Sequence, residues 1–194
     1  SAYSITQAGG SIITVGGNTT FRDYGSLTLS NTGNVFGDLY LYTSSGGTTD
    51  LQEDDAITQF NNFYLPSQTT KFTVTDDQAI TLDNTSNYFG NLQITQENDG
   101  EVAPGAVHIA EGYTMTQAGA WTTHGNTYIQ TTGDTIDLDN YSTNVFGPLK
   151  IVGANTYLYE NDTIEDYDAW STSTTFLNAY AGNVSGQGNI VLDH

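Results

Sequence analysis

Short segments in which apolar and polar residues alternate recur along the chain, and each leads through an asparagine to a Phe-Gly pair. The complete copies of this segment, the Phe-Gly box, span residues 27–37, 80–90 and 136–147. A second alternating run follows each box, at residues 39–41, 92–94 and 149–151. Because successive side chains of a strand point to opposite faces, both runs predict β-strands that bury one face.

The box recurs at a nearly constant interval, since the Phe-Gly pairs lie 53 and 57 residues apart. Two other segments recur ahead of it. The first contains Ile-Thr-Gln or a close variant, at residues 3–10, 56–59 and 113–119, with a degraded copy at 163–166. The second is rich in threonine, at residues 17–21, 68–72, 125–129 and 173–176, and a shortened fourth box lies at 189–193. About four imperfect repeats of roughly 55 residues therefore predict a single elongated domain over residues 1–194.

The recurring segments predict an all-β protein, because none sustains the apolar spacing of a helix over three turns. Two architectures fit such short strands: a β-solenoid, in which strands stack along an axis, and a β-sandwich or jelly roll. The period favours the solenoid, since the strands of a sandwich occupy different environments and have no reason to share a sequence. A repeat of this length divides into two or three solenoid turns of roughly 18 to 27 residues.

The phase of the strands assigns an inner and an outer face to the solenoid. The inward positions of the first repeat are Leu27, Leu29, Phe36, Leu39 and Leu41. Thr28 and Tyr40 point outward. We therefore predict one continuous core that contains the phenylalanines of the three boxes, Phe36, Phe89 and Phe146.

The order of the segments carries a resemblance. Residues 5–37 contain Ile-Thr-Gln, then Gly-Asn-Thr-Thr-Phe, then Leu-Thr-Leu-Ser-Asn-Thr-Gly-Asn-Val-Phe-Gly, which resembles the repeats of filamentous-haemagglutinin-like bacterial surface proteins. The similarity extends from Tyr3 to Asp193. It implies a right-handed parallel β-helix and an exported fibrous protein. Members of that family are usually longer, carry an N-terminal secretion domain and are less acidic than this chain.

Acidic residues dominate the charge. The 22 Asp and Glu residues face only Arg22, Lys71 and Lys150, which gives a formal net charge of −19. This balance excludes a nucleic-acid-binding surface and disfavours anionic lipid. The chain has no cysteine and no apolar run long enough to span a membrane. The composition, with a Ser-Ala-Tyr start of the kind left after removal of a signal peptide, predicts a secreted or cell-surface protein.

Acidic clusters on the predicted turns make calcium the candidate cofactor, because this hard cation binds several oxygen ligands at once. The candidate metal ligands form two groups: Asp50, Glu53, Asp54 and Asp55, and Glu160, Asp162, Asp166 and Asp168. Neither group has the spacing of an EF-hand loop or of the glycine-rich calcium repeat of β-rolls. Plain solvated turns are the alternative interpretation.

The sequence predicts no catalytic residue and no binding site for an organic cofactor. An enzyme acting on acidic polysaccharides would also need basic residues to bind its substrate, and these are scarce here. The histidines fall in different segments without metal-ligand spacing, at His108, His124 and His194. Outward tyrosines suit packing against another protomer, covering of the sheet face or binding of neutral sugar, and include Tyr40, Tyr42, Tyr128, Tyr157 and Tyr159.

These observations favour an extracellular structural protein, a filament subunit that joins to itself head to tail. Alternating strands at residues 3–7 and 189–193 would lie at the two ends, where edge pairing with another copy is expected. The alternative is the shaft or glycan-binding segment of a bacterial surface adhesin. Ice binding is disfavoured because the equivalent residues Thr28, Thr81 and Asp137 do not continue a threonine row, and a polysaccharide-active enzyme comes third.

Overall fold

The computed structural model describes residues 3–44, 46–66, 69–98, 100, 103–161, 172, 174–179 and 190–192. These residues form 17 β-strands and no helix, which confirms the all-β prediction. The strands are β1 (Ile5–Thr6), β2 (Thr19–Asp23), β3 (Leu27–Leu29), β4 (Leu39–Thr43), β5 (Thr48–Glu53), β6 (Ile57–Thr58), β7 (Thr69–Val74), β8 (Ile80–Leu82), β9 (Asn91–Gln96), β10 (Val107–Glu111), β11 (Met115–Gln117), β12 (Thr127–Thr131), β13 (Ile136–Leu138), β14 (Leu149–Val152), β15 (Asn155–Glu160), β16 (Thr174–Ala179) and β17 (Ile190–Leu192). Within the described ranges there is accordingly no helix that could cross a membrane.

The strands stack in three parallel sheets. The largest has the order β1-β3-β5-β7-β9-β11-β13-β15-β16-β17, the second has the order β14-β12-β10-β8-β6, and the third pairs β2 with β4. From β1 to β15 the chain visits the ten-stranded sheet with every second strand and returns to another face in between. Each strand therefore pairs with the strand one turn away, and the fold is the predicted parallel β-solenoid rather than a sandwich.

The register of the ten-stranded sheet gives the length of a turn. Ile5 pairs with Leu27, 22 residues later, and Leu27 pairs with Thr49 after another 22. The interval from Leu92 to Gln117 is 25 residues. These values lie inside the predicted range for one turn.

The sequence repeat spans two and a half turns. Strand β3 of the first box and β13 of the third lie in the ten-stranded sheet, whereas β8 of the second box lies in the five-stranded sheet. Successive copies of the repeat consequently lie on opposite faces. Residues that are equivalent in the repeat do not stack: Thr28 pairs with Asp50, but Thr81 pairs with His108.

The solenoid encloses one continuous apolar core that extends from Leu27 to Leu158. The four inward leucines of the first repeat are buried, while Thr28 and Tyr40 are half-exposed, as predicted. The box phenylalanines all belong to this core, at Phe36, Phe89 and Phe146. The repeat therefore records a recurring core position, and the prediction of a single core is confirmed.

The glycine of the box lets successive turns approach closely. A Cβ atom at Gly37 would overlap the carbonyl oxygen of Gly17, and one at Gly147 would overlap that of Gly125. Gly90, the glycine of the second box, has a φ of 65°, a conformation that only glycine adopts without strain. The Phe-Gly pair thus combines a core side chain with a backbone position that excludes other residues.

Replacing Phe89 by alanine should lower the free energy of unfolding by about 3 to 5 kcal/mol, because a large cavity would remain. The Phe89 ring packs at 6.2 Å from Phe63 and 6.1 Å from Phe72, measured between ring centroids. Phe60→Ala is the matched control, since Phe60 is 42% exposed. Urea unfolding measures both variants, and an equal loss in the two would contradict the assignment of Phe89 to the core.

Candidate functional site

An asparagine of each box is completely buried and hydrogen-bonded to three turns of the solenoid. In the second copy, Asn87 Nδ2 donates to Gln59 Oε1 (2.9 Å), Leu82 O (3.1 Å) and Ala110 O (3.0 Å). Asn87 Oδ1 accepts from Gln59 Nε2 (3.0 Å) and from the Phe63 N–H (2.7 Å). Gln59 comes from the preceding turn and Ala110 from the following one. The amide therefore links three turns through its side chain.

The same arrangement, the Asn–Gln bridge, occurs in the other two copies. Its members in the first copy are Asn34, Gln7, Leu29, Gln52 and Ile13. Its members in the third copy are Asn144, Gln117, Leu138, Tyr159 and Trp121. The glutamine is in each case the Gln of the Ile-Thr-Gln segment, so the recurring polar residues of the sequence meet each other inside the fold.

A buried glutamate accompanies each box. Glu53 Oε1 accepts the Phe36 N–H at 2.9 Å, and Glu111 Oε1 accepts the Phe89 N–H at 3.0 Å. Glu160 accepts the Phe146 N–H in the same way, at 3.2 and 3.3 Å to its two oxygens. These glutamates hold the backbone of the box from the next turn.

Burial raises the pKa of Glu53 and of Glu111 to about 8. The hydrogen bond from the box N–H lowers each pKa and the charge of Asp55 or Asp134 raises it, but both effects are smaller than that of burial. Oε2 of each carboxyl is buried and finds no hydrogen-bond partner among the described residues. Both observations fit a neutral, protonated carboxyl at pH 7.

The structure does not assemble the first predicted metal group. Glu53 points into the core, whereas Asp54 and Asp55 are exposed and Asp50 lies on the outer face of β5. Within the described ranges, no three His, Asp or Glu side chains converge on a point that could hold a metal ion. In the second group Glu160 is buried, and Asp162, Asp166 and Asp168 lie outside the described residues. Calcium binding stays a prediction.

The histidines do not form a site. His108 lies on the outer face of β10, and its ring centroid is 4.4 Å from that of Tyr128. Partial burial lowers the pKa of His108, which the charge of Asp83 partly offsets. His124 follows a turn near Gly125, and His194 lies outside the described residues.

Four tyrosines form a row that follows the solenoid axis. Backbone bridges pair Tyr42 with Tyr64 and Tyr64 with Tyr88, so these three lie on successive turns. Their ring centroids are 5.4 Å and 6.0 Å apart, and Tyr113 adds a fourth ring 4.4 Å beyond Tyr88. Tyr64 is 38% and Tyr113 52% exposed. The row gives the outer surface a continuous aromatic stripe.

A second pair of rings widens this stripe at one end. The centroids of Tyr40 and Phe60 are 6.2 Å apart. The Arg22 guanidinium lies 5.8 Å from the Tyr40 centroid and 5.5 Å from that of Tyr42. We call the whole surface the aromatic face, formed by Arg22, Tyr40, Tyr42, Phe60, Tyr64, Tyr88 and Tyr113.

Sequence reasoning found only part of this face. Tyr40 and Tyr42 were predicted from the phase of their strand, but Phe60, Tyr64 and Tyr88 lie between regular strands, where no phase can be read. A signal was nevertheless present. These three residues depart from the repeat, because the other copies carry alanine, threonine and valine there, at Ala8, Thr14 and Val35 and at Ala118, Thr122 and Val145.

Comparison with known proteins identifies the repeats but no function. No curated protein and no solved structure matches the chain. The family described as repeats of unknown function (DUF5649) matches residues 1–43 and 90–152, more than half of the chain. No link to haemagglutinin-like proteins was found, so that resemblance stays a prediction while its parallel solenoid is confirmed. The matched segments contain the first and third Asn–Gln bridges, and the chain belongs to the family of repeats of unknown function (DUF5649).

Proposed function

We propose that the protein is a non-enzymatic structural protein of an extracellular surface, in which the solenoid forms a segment of a stiff rod that extends by end-to-end association. The recurring polar residues support this role. Each Asn–Gln bridge joins three consecutive turns, and each buried glutamate holds a box backbone from the neighbouring turn. The features that define the repeat therefore stabilise the stack of turns.

The outer edge of β1 supports association at the end of the rod. The N–H groups of Ile5 and Gln7 donate to Ser26 O and Thr28 O, both at 2.9 Å, and thereby pair β1 with β3. Since N–H groups of a strand alternate in direction, the N–H and C=O of Thr6 point away from β3. An open strand edge of this kind is a template for another parallel strand.

Thr6→Pro tests this proposal. Proline removes the N–H that points outward but leaves the Ile5 and Gln7 N–H groups, so it should block the edge and keep β1 in place. Thr6→Val is the matched control, because valine keeps the N–H and favours a strand. We expect the unmodified chain and Thr6→Val to form linear particles in electron micrographs and to elute earlier from a sizing column as concentration rises, whereas Thr6→Pro stays monomeric. A monomeric unmodified chain at millimolar concentration would contradict the proposal.

A further inference from the structure

We infer that the aromatic face is a binding site for a linear, neutral polysaccharide that lies along the solenoid axis. The inference does not depend on end-to-end association, since the face lies on the side of the solenoid and is complete within one chain.

The repeat itself shows that the aromatic residues are not needed for the fold. The bridge that joins Tyr64 to Tyr88 joins Thr14 to Val35 in the first copy and Thr122 to Val145 in the third. The same turn is thus built without aromatic rings in two of three copies. Phe60 likewise follows Ile-Thr-Gln where the other copies have alanine. The second copy therefore carries three additional rings at positions where the solenoid requires none.

The rings are accessible and are arranged in a line. Phe60, Tyr64 and Tyr113 are the most exposed members, and exposed apolar surface of this extent marks interaction sites. One ring per turn places successive rings at about the spacing of stacked strands, roughly 4.8 Å. A β-1,4-linked sugar unit advances by a similar distance along its chain. A linear polysaccharide can therefore present one sugar to each turn.

The chemistry of the face fits a sugar. The apolar C–H faces of pyranose rings pack against aromatic side chains, and sugar hydroxyls accept or donate hydrogen bonds to phenol groups. Arg22, held over Tyr40 and Tyr42, supplies further donors at one end of the row. The face thus offers both the apolar and the polar contacts that a sugar needs.

The charge of the protein selects against other occupants. A net charge of −19 repels anionic polymers such as polyuronates. A second copy of this chain carries the same charge and is repelled as well. A neutral polymer is the ligand that meets neither barrier.

The experiment uses the residues of the sister copies. In the triple variant Phe60→Ala, Tyr64→Thr, Tyr88→Val, the second copy receives the residues found at the same positions of the first and third copies, so the fold is expected to tolerate it. Tyr128→Thr removes an aromatic residue from the outer face of β12 and serves as the control. Affinity electrophoresis measures retardation of each protein in gels that contain hydroxyethylcellulose, glucomannan or alginate.

We expect retardation by at least one of the two neutral polysaccharides, a binding constant at least tenfold weaker in the triple variant, unchanged binding in Tyr128→Thr and no retardation by alginate. Circular dichroism and urea unfolding verify the fold of the triple variant. Tyr113→Ser, at the exposed end of the row, provides a second variant that should also weaken binding. The inference is overturned if neither neutral polysaccharide retards the protein, if alginate retards it equally, or if both variants bind as the unmodified chain does. Self-association that the triple variant abolishes, without polysaccharide binding, would instead assign the face to a second copy.

Discussion

Replacing Asn87 by aspartate should lower the free energy of unfolding by roughly 4 kcal/mol or more, although only an NH2 group is exchanged for an oxygen. Asn87 Nδ2 faces three acceptors: Gln59 Oε1, Leu82 O and Ala110 O. In the variant two buried backbone carbonyls lose their donor and a charge is placed among oxygens. Because a protonated aspartate regains one donor, the loss should become smaller at low pH.

Asn91→Asp is the matched control for this exchange. Asn91 is exposed, and its Oδ1 accepts only a surface hydrogen bond from Thr116 Oγ1 at 2.7 Å among the described contacts. The control should change stability by less than about 1 kcal/mol. Urea unfolding at pH 7 compares the two variants. A similar, small effect in both would show that the Asn–Gln bridge contributes little to the solenoid.

The second expected result is a fall in stability between about pH 4.5 and pH 8. Glu53 and Glu111 have folded-state pKa values of about 8 against an ordinary value of 4.5, so the folded protein keeps protons that the unfolded chain releases. Stability is therefore greatest below the ordinary pKa and is lost as the pH rises towards the folded-state pKa. Each group should lower the free energy of unfolding by about 1.4 kcal/mol per pH unit in this window.

The double variant Glu53→Gln, Glu111→Gln isolates this contribution. Glutamine keeps the oxygen that accepts the Phe36 or Phe89 N–H but does not titrate, and the neighbouring Asp55 and Asp134 stay in place. The double variant should lose most of the pH dependence, while Glu97→Gln, at an exposed position, should keep it. Unfolding curves in urea at half-unit pH intervals measure the slopes. An unchanged slope in the double variant would show that these carboxyls are not the source.

The alternating pattern was sufficient to predict the strands and the core. Leu27, Leu29 and Phe36 were assigned to the inside from their phase alone, because the period of a strand fixes which side chains share a face. The recurrence of the boxes then distinguished a solenoid from a sandwich, since only a stack gives equivalent positions the same surroundings. These features depend on neighbours in sequence or on the period, and both can be read from the printed chain.

Glu53 shows where the sequence was interpreted wrongly. Its acidic neighbours Asp54 and Asp55 suggested a cation site on a turn, yet its phase with Leu51 in β5 points it inward. Charge was given more weight than phase. The structure shows that a protonated carboxyl can occupy this position because the Phe36 N–H of the adjacent turn needs an acceptor.

The sequence by itself determined the all-β class, the repeat and the inward residues, because local alternation and recurrence carry that information. Only the tertiary structure decided that the repeat equals two and a half turns, since turn length depends on how the links between strands bend. That half turn places the second copy on the opposite face from the first and third. Tyr42, Tyr64, Tyr88 and Tyr113 consequently align across consecutive turns, which no spacing in the sequence indicates.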